Sequence, residues 1–426
     1  MATYSTIAVT FALGIIIGFV LMQPPKLLFS TKECDAKDVE VVTNDVSQAL
    51  TNAWKLACGS TGRSVFKLTT NNSTVGPLTF DGPCKATKMV VNVVGDVIAI
   101  PKASWPDNSA DAWIKFTKVQ NLEIFGRGKF IGNGKSGWWK CKNSKINTCE
   151  NNPTALAFHN CNNLNLIGVT SIDSPRNHIT INHCNGTTIS NINLIAYGMS
   201  PNTDGIDISD TNGVHINGGH IGTGDDCIAI NGGSFNINIT GLNCGPGHGI
   251  SIGSLGRNSA TEEVSNIMVM GATFTDTQNG VRIKTVPGGS GSASHITFSN
   301  IGMTRVQNPI LLTQFYCPHV DPKDCKNKPQ MVKISDVTFS DIHGTSATSN
   351  AINITCSPNK DSCVGITLRN INITPNTAIA TCKNAVDVHL IGNVTPYVKC
   401  TRGADVIEMP LDHDDYNESQ RAIATS

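Results

Sequence analysis

The chain has 426 residues, 39 of them glycine, and its 32 basic residues balance 32 acidic ones. A formal charge of zero provides no global basic field, so nucleic acid is excluded as a general partner, and any grip on a polyanion must come from a local cluster. Glycine together with abundant Asn, Ile, Val and Thr suits many short strands joined by tight turns, not helices.

At the amino terminus the run IAVTFALGIIIGFVLM, Ile7 to Met22, carries no charge. It is long enough for a signal-peptide core but short for a membrane span. No Lys or Arg precedes it, and the following QPPKLLFS offers no small-x-small cleavage site. Residues 1–31 are therefore read as a signal peptide or a signal anchor. Either sends the domain into the secretory pathway, and membrane association is expected only for the anchor.

Fifteen cysteines agree with that compartment. Short-range pairs are expected at Cys58/Cys84, Cys141/Cys149, Cys227/Cys244, Cys317/Cys325, Cys356/Cys363 and Cys382/Cys400. The odd total leaves at least one thiol unpaired unless it bridges chains, and Cys161 and Cys184 read as buried small residues. No CxxC pair and no HExxH occurs, so no metal or other cofactor is expected. Asn-x-Ser/Thr triplets at Asn71, Asn72, Asn185, Asn238, Asn353, Asn372, Asn393 and Asn417 are compatible with secretion.

Residues 32 to about 100 are irregular and are expected to cap one end of the domain. Beyond them an apolar-x-x-apolar-x-apolar pattern recurs. It reads Ile189-Ile192-Leu194, a weaker Ile216-Gly219-Ile221, Ile239-Leu242-Cys244, Val269-Ala272-Phe274, Phe298-Ile301-Met303, Ile334-Val337-Phe339 and Leu368-Ile371-Ile373. The starts advance by 27, 23, 30, 29, 36 and 34 residues. Such repeats are too short for βαβ units and lack helical periodicity. One coil of short strands per repeat, stacked at about 4.8 Å, predicts an all-β solenoid with a continuous apolar interior. A sandwich or propeller also uses short strands, but the uneven spacing argues against blades. The domain is placed at 32–400, with a polar, acidic tail at 401–426.

Four motifs lie between residues 202 and 284: Asn202-Thr203-Asp204-Gly205, Gly224-Asp225-Asp226, Gly247-His248-Gly249 and Arg282-Ile283-Lys284. Asp204 precedes Asp225 by 21 residues and Asp226 precedes His248 by 22, each close to one coil. Stacked coils would bring them onto one surface, with Arg282 and Lys284 on the same face of one strand. Singly these are ordinary features, since Asp-Gly is a turn and Arg-x-Lys an exposed edge. Together they suit glycoside hydrolysis. Crowded carboxylates split into a protonated acid and ionised bases, and an inverting enzyme holds its two carboxyl groups about 6.5–9.5 Å apart to admit water. Two cations would hold an acidic sugar by its carboxylate.

In this order and spacing, NTDG, GDD, GHG and RIK resemble the signature of the polygalacturonases, glycoside hydrolase family 28, over about Gly82 to Cys400. The resemblance implies a right-handed single-stranded parallel β-helix, the pectin-lyase-like solenoid, and an inverting reaction on polygalacturonate. It implies Asp225 as general acid, Asp204 and Asp226 activating the water, and His248 ordering the acid's protonation. Arg282, Lys284 and Tyr316 (in QFYCP) would bind substrate, and Asn202 and Gln278 would line the groove. SPNTDGI, TGDDCIAI, CGPGHGISIGSLGR, TQNGVRIKT and the cysteine loop of WWKCKNSKINTC are most similar to plant pollen-type exopolygalacturonases. VPGGSGSAS, Val286 to Ser294, departs from that subgroup. The resemblance therefore implies a monomer in the plant cell wall that releases galacturonate from the non-reducing end at mildly acidic pH. The alternatives are an endo-acting hydrolase, a calcium-dependent pectate lyase, and a non-catalytic wall-binding protein.

Overall fold

Ile206, Ile228, Ile250 and Val281 belong to four short strands that lie side by side in parallel, each isoleucine or valine over the next. This column is the fold in miniature. Alternation in a strand sends every second side chain inward, and the inward residues Ile179, Ile206, Ile228, Ile250, Val281 and Ile310 are fully buried. The structure is a computed structural model describing residues 32–35, 46–70, 73–106, 111–140, 148–317, 328–375 and 377–402. The apolar run 7–22, Cys141, Cys325, the triplets at Asn71, Asn72 and Asn417, and the tail beyond 402 lie outside the described residues.

A 12-stranded sheet runs from Leu78–Asp81 through Ile206–Ser209, Ile228–Ile230, Ile250–Leu255 and Asn279–Thr285 to Cys400–Thr401. The rest of each coil belongs to an 18-stranded sheet made of longer strands such as Asn212–Gly222 and Ser234–Cys244. Parallel crossovers take the right hand, and the result is a right-handed parallel β-helix. The expected apolar triplets stack in it: Ile189 pairs with Ile216 and Leu194 with Ile221, then Ile216 with Ile239 and Ile221 with Cys244.

One triplet is out of register. Phe298 lies beside Phe339 and Ile301 beside Ile342, so this copy starts at Phe339, not at Ile334. The strand Lys333–Ser346 carries buried apolar residues at 334, 337, 339 and 342; the pattern fits fully at 334, whereas in the true register its third place, opposite Met303, is Gly344. Phe298 and Phe339 stack with ring centroids 5.3 Å apart, which fixes the true register.

The coils turn on left-handed residues, and asparagine tolerates that conformation. Asn236 and Asn266 both have positive φ and form a ladder in which Asn266 Nδ2 donates to Asn236 Oδ1 and Asn236 Nδ2 to Asn212 Oδ1. At the amino-terminal end a helix, Ser47–Cys58, buries Leu50, Ala53, Trp54 and Ala57. The Trp54 ring meets Phe66, Phe80 and Phe116, covering the first coils. The composition gave no hint of this helix. No helix among the described residues is long and apolar enough to cross a membrane.

Disulfides join Cys58–Cys84, Cys227–Cys244, Cys356–Cys363 and Cys382–Cys400, all as expected. Cys149 and Cys317 are disulfide-bonded as well. Cys161 and Cys184 are free and buried, and the Cys161 amide donates to Cys184 Sγ at 3.2 Å.

Candidate active site

Three strands of the 12-stranded sheet share one local pattern: Ile206-Asp207-Ile208, Ile250-Ser251-Ile252 and Val281-Arg282-Ile283-Lys284. The aliphatic residues point into the solenoid, so Asp207, Ser251, Arg282 and Lys284 face outward along one groove. Two residues ahead of the registered strand positions stand Asp204, Asp226 and His248, one per coil. Backbone bonds stitch these turns together. The Gly205 amide donates to Asp226 O at 2.9 Å, Cys227 N to Gly249 O at 2.8 Å and His248 N to Asp225 O at 2.8 Å. Glycine is required at 249, where φ is +88° and an added Cβ would fall 2.2 Å from Asn279 O.

Asp226 is the buried centre. Its Oδ1 accepts from Arg282 Nη2 at 2.7 Å and from Ser251 Oγ at 3.0 Å, and its Oδ2 accepts from Lys284 Nζ at 2.9 Å. Ser251 Oγ in turn accepts from Arg282 Nε at 2.9 Å. Arg282 is 2 % exposed and Lys284 7 %. Burial and Arg282 press the Lys284 ammonium toward neutrality, but Asp226, Tyr316 and Asp225 outweigh them and hold its pKa above the ordinary lysine value.

Asp225 is partly exposed. Its Oδ1 accepts from the Asp226 amide at 2.8 Å and faces His248 Nδ1 at 3.0 Å. Burial works to raise the Asp225 carboxyl, but the ion pair and hydrogen bond with His248, helped by Lys284, leave it below the ordinary range. His248 is raised in return: burial opposes its charge, and Asp225 and Asp226 overcome that. Asp204 moves the other way. Burial and the charges of Asp225, Asp207 and Asp226 push it well above the usual aspartate value. Asp207 is raised to about 7 by burial, with Arg176 partly offsetting it. Without substrate, the retained protons thus belong to Asp204 and Asp207, and Asp225 is held ionised by His248.

The remaining expected residues sit around this core. The Tyr316 ring is half-buried, with its centroid 5.1 Å from Lys284 Nζ and 6.0 Å from Arg282 Cζ, so it borders the cations and is not interior. Asn202 occupies a left-handed turn with φ 52° two residues ahead of Asp204. Gln278 N donates to Gly247 O at 2.8 Å, beside His248. Asp207 and Ser251 were missed from the sequence, although both stand between two isoleucines exactly as Arg282 stands between valine and isoleucine. Ligand atoms of Asp225, Asp226 and His248 lie within 4.8 Å of one another. Both Asp226 oxygens already face Arg282 or Lys284, whose charges oppose a cation there.

The family model for glycosyl hydrolases family 28 matches residues 58–391. The chain is 44 % identical to a probable polygalacturonase of Arabidopsis thaliana over 78 % of its own length and 71 % of the relative's. It is 38 % identical to an exopolygalacturonase of Platanus acerifolia, covering 89 % of this chain and 99 % of that one. Among solved structures it resembles the endo-xylogalacturonan hydrolase of Aspergillus tubingensis with a TM-score of 0.70 and 22 % identity, over 88 % of this chain and 100 % of that chain.

Proposed function

The chain belongs to glycosyl hydrolases family 28 and is a hydrolase of polygalacturonate, and from that premise we propose that it works in the plant cell wall, by inversion and from the non-reducing chain end. The observation that carries the mechanism is the convergence of Asp204, Asp225, Asp226 and His248 with Arg282 and Lys284 on one groove.

Asp225 is the general acid. Its Oδ1 is committed to His248 and the Asp226 amide, while its Oδ2 makes no protein hydrogen bond among the described residues. That oxygen delivers the proton to the leaving glycosidic oxygen. A bound galacturonate carboxylate adds negative charge to the site, which raises Asp225 toward a protonated state. The proton shared among the carboxylates is carried by Asp225 once substrate is bound, which leaves Asp204 ionised to take the proton of a water that Asp226 helps to orient, and Arg282, Lys284 and Tyr316 hold the sugar carboxylate. Asn202 and Gln278 line the groove.

A second reading, retention, would need a carboxylate beside the acid to attack the sugar, and Asp226 is the neighbour, with a ligand atom within 4.8 Å of one of Asp225. Against retention, both Asp226 oxygens are filled by Ser251, Arg282 and Lys284, so neither is free to attack a sugar. The anomer first released from a galacturonate oligomer, read by proton NMR within minutes, decides. A β product supports inversion, and an α product overturns it.

Exo action is supported by the near-complete coverage of the Platanus exopolygalacturonase. Digesting an end-labelled oligomer tests it, because monomer alone is expected from the start and a ladder of intermediate lengths would make the enzyme endo-acting. Passage through the secretory pathway is supported by the disulfides. We also propose a monomer, with polygalacturonate as its only partner, no cofactor, and membrane association solely if residues 7–22 remain as an anchor.

A further inference from the structure

Arg176, whose charge acts on Asp207, belongs to the turn ahead of the strand Ile179–Asn182. It lies three residues ahead of Ile179, as Asp225 lies three ahead of Ile228, and Ile179, Ile206 and Ile228 are registered in consecutive strands. Arg176 therefore holds the same coil position as Asp225, two strands toward the amino terminus, or about 10 Å along the axis. Arg282 and Lys284 lie on the other side of Asp225, in the strand after Ile250–Leu255. The aspartates stand between two positions of positive charge.

The turn that carries Arg176 is built rigidly. Ser174 Oγ donates to Asn177 O at 2.8 Å, Trp139 Nε1 to Ser174 O at 3.0 Å and Asn152 Nδ2 to Pro175 O at 3.3 Å. The Arg176 Nε is buried yet has no hydrogen-bond partner, and the side chain makes no ion pair among the described residues. The acid that feels its charge, Asp207, takes its hydrogen bond from Asn177 Nδ2 instead. A buried donor left without an acceptor is costly, and a ligand oxygen would remove that cost.

We propose that Arg176 binds the carboxylate of a galacturonate unit on the opposite side of the scissile linkage from Arg282 and Lys284. A polygalacturonate carries one carboxylate per sugar, and a unit lying beside Asp204 and Asp207 sits three strands from Arg282 and Lys284, out of their reach. Arg176 supplies the opposing charge, and its planar fork suits a carboxylate. The proposal rests on the hydrolase reading of the acid cluster.

Binding of trigalacturonate is measured by calorimetry in an inactive Asp225→Asn background, with and without Arg176→Gln, and turnover is measured in the single Arg176 variants. The dissociation constant is expected to rise about tenfold or more with Arg176→Gln. Arg176→Lys should recover part of that loss, and the salt dependence of kcat/KM should weaken in Arg176→Gln. An unchanged dissociation constant overturns the proposal, as does a loss confined to kcat together with a lowered melting temperature in both Arg176 variants. If the wild type itself releases no reducing ends from trigalacturonate, it is the hydrolase reading that has failed. If wild-type turnover is intact and Arg176→Gln binds normally, the Arg176 assignment alone is wrong.

Discussion

His248 Nδ1 stands 3.0 Å from Asp225 Oδ1 across 23 residues of sequence, and this contact decides the charge of both groups. Burial would keep each neutral, yet the pair holds the carboxyl below and the imidazole above its ordinary pKa. His248→Gln removes the cation, so the Asp225 titration midpoint should move upward, followed by carboxyl-carbon NMR. Wild-type His248 should titrate above about 6.5. A midpoint for Asp225 that stays put in His248→Gln would assign its depression to Lys284 and the Asp226 amide.

The roles of Asp225 and Asp204 separate by chemical rescue. With Asp225 as acid, Asp225→Asn should lose about 10²–10⁴ in turnover on polygalacturonate. It should keep most of its rate on an aryl galacturonide, whose leaving group needs no proton. Asp204→Asn should fail on both and recover with azide, which replaces the activated water. The opposite pattern would transfer the acid role to Asp204, whose raised pKa already favours its protonated form.

Asp226 should behave differently from both, because it is structural as well as chemical. Its carboxylate is the shared partner of Arg282 and Lys284, and both cations are buried. Asp226→Ala leaves two buried positive charges without it, a loss of about 3–5 kcal/mol by analogy with broken buried ion pairs. Asp225→Asn, at a partly exposed position where only the His248 pair is lost, should be destabilised less in urea than Asp226→Ala. Equal midpoints for Asp226→Ala and Asp225→Asn would show that the cations find other partners.

Much of this site could be read from the chain because its spacing is that of the coil. Asp204, Asp226 and His248 recur at intervals of 22 residues, and the backbone bonds between their turns bring them together. What escaped had physical reasons. Asp207 looked like an ordinary strand residue until the Ile-x-Ile alternation placed it beside Asp204. The helix Ser47–Cys58 carries its buried residues at 49, 50, 53, 54 and 57, a helical spacing hidden by a composition that favours strands. Register failed at Ile334 because the true copy ends in Gly344, while 334, 337 and 339 in the same strand complete the pattern one step early. The proton balance without substrate depends on which group each carboxylate touches, and motif spacing carries no such distances.

That balance has a consequence for stability. Asp207 titrates near 3.8 when unfolded and at about 7 when folded, and Asp204 is displaced in the same direction. Between these values the folded chain binds more protons than the unfolded one, so stability falls as pH rises. Both contributions are complete below about pH 4; that of Asp207 is lost as pH climbs through about 7, and that of Asp204 as pH climbs through its own raised folded pKa. His248, also raised, contributes fully below about 6.5 and loses its effect above its folded pKa. Asp225 has the opposite sign, but its contribution fades only as the pH falls below about 4. From pH 5 to pH 8 the first three groups act together, and the melting temperature should decline. Asp207→Asn cannot ionise and keeps an oxygen for the Asn177 donor, so the decline should shrink by at least about 2 °C. Calorimetry at both pH values measures this directly. Parallel curves for wild type and Asp207→Asn would mean that Asp207 is ionised in the folded protein, and that the groove is more negative than its burial and neighbours require.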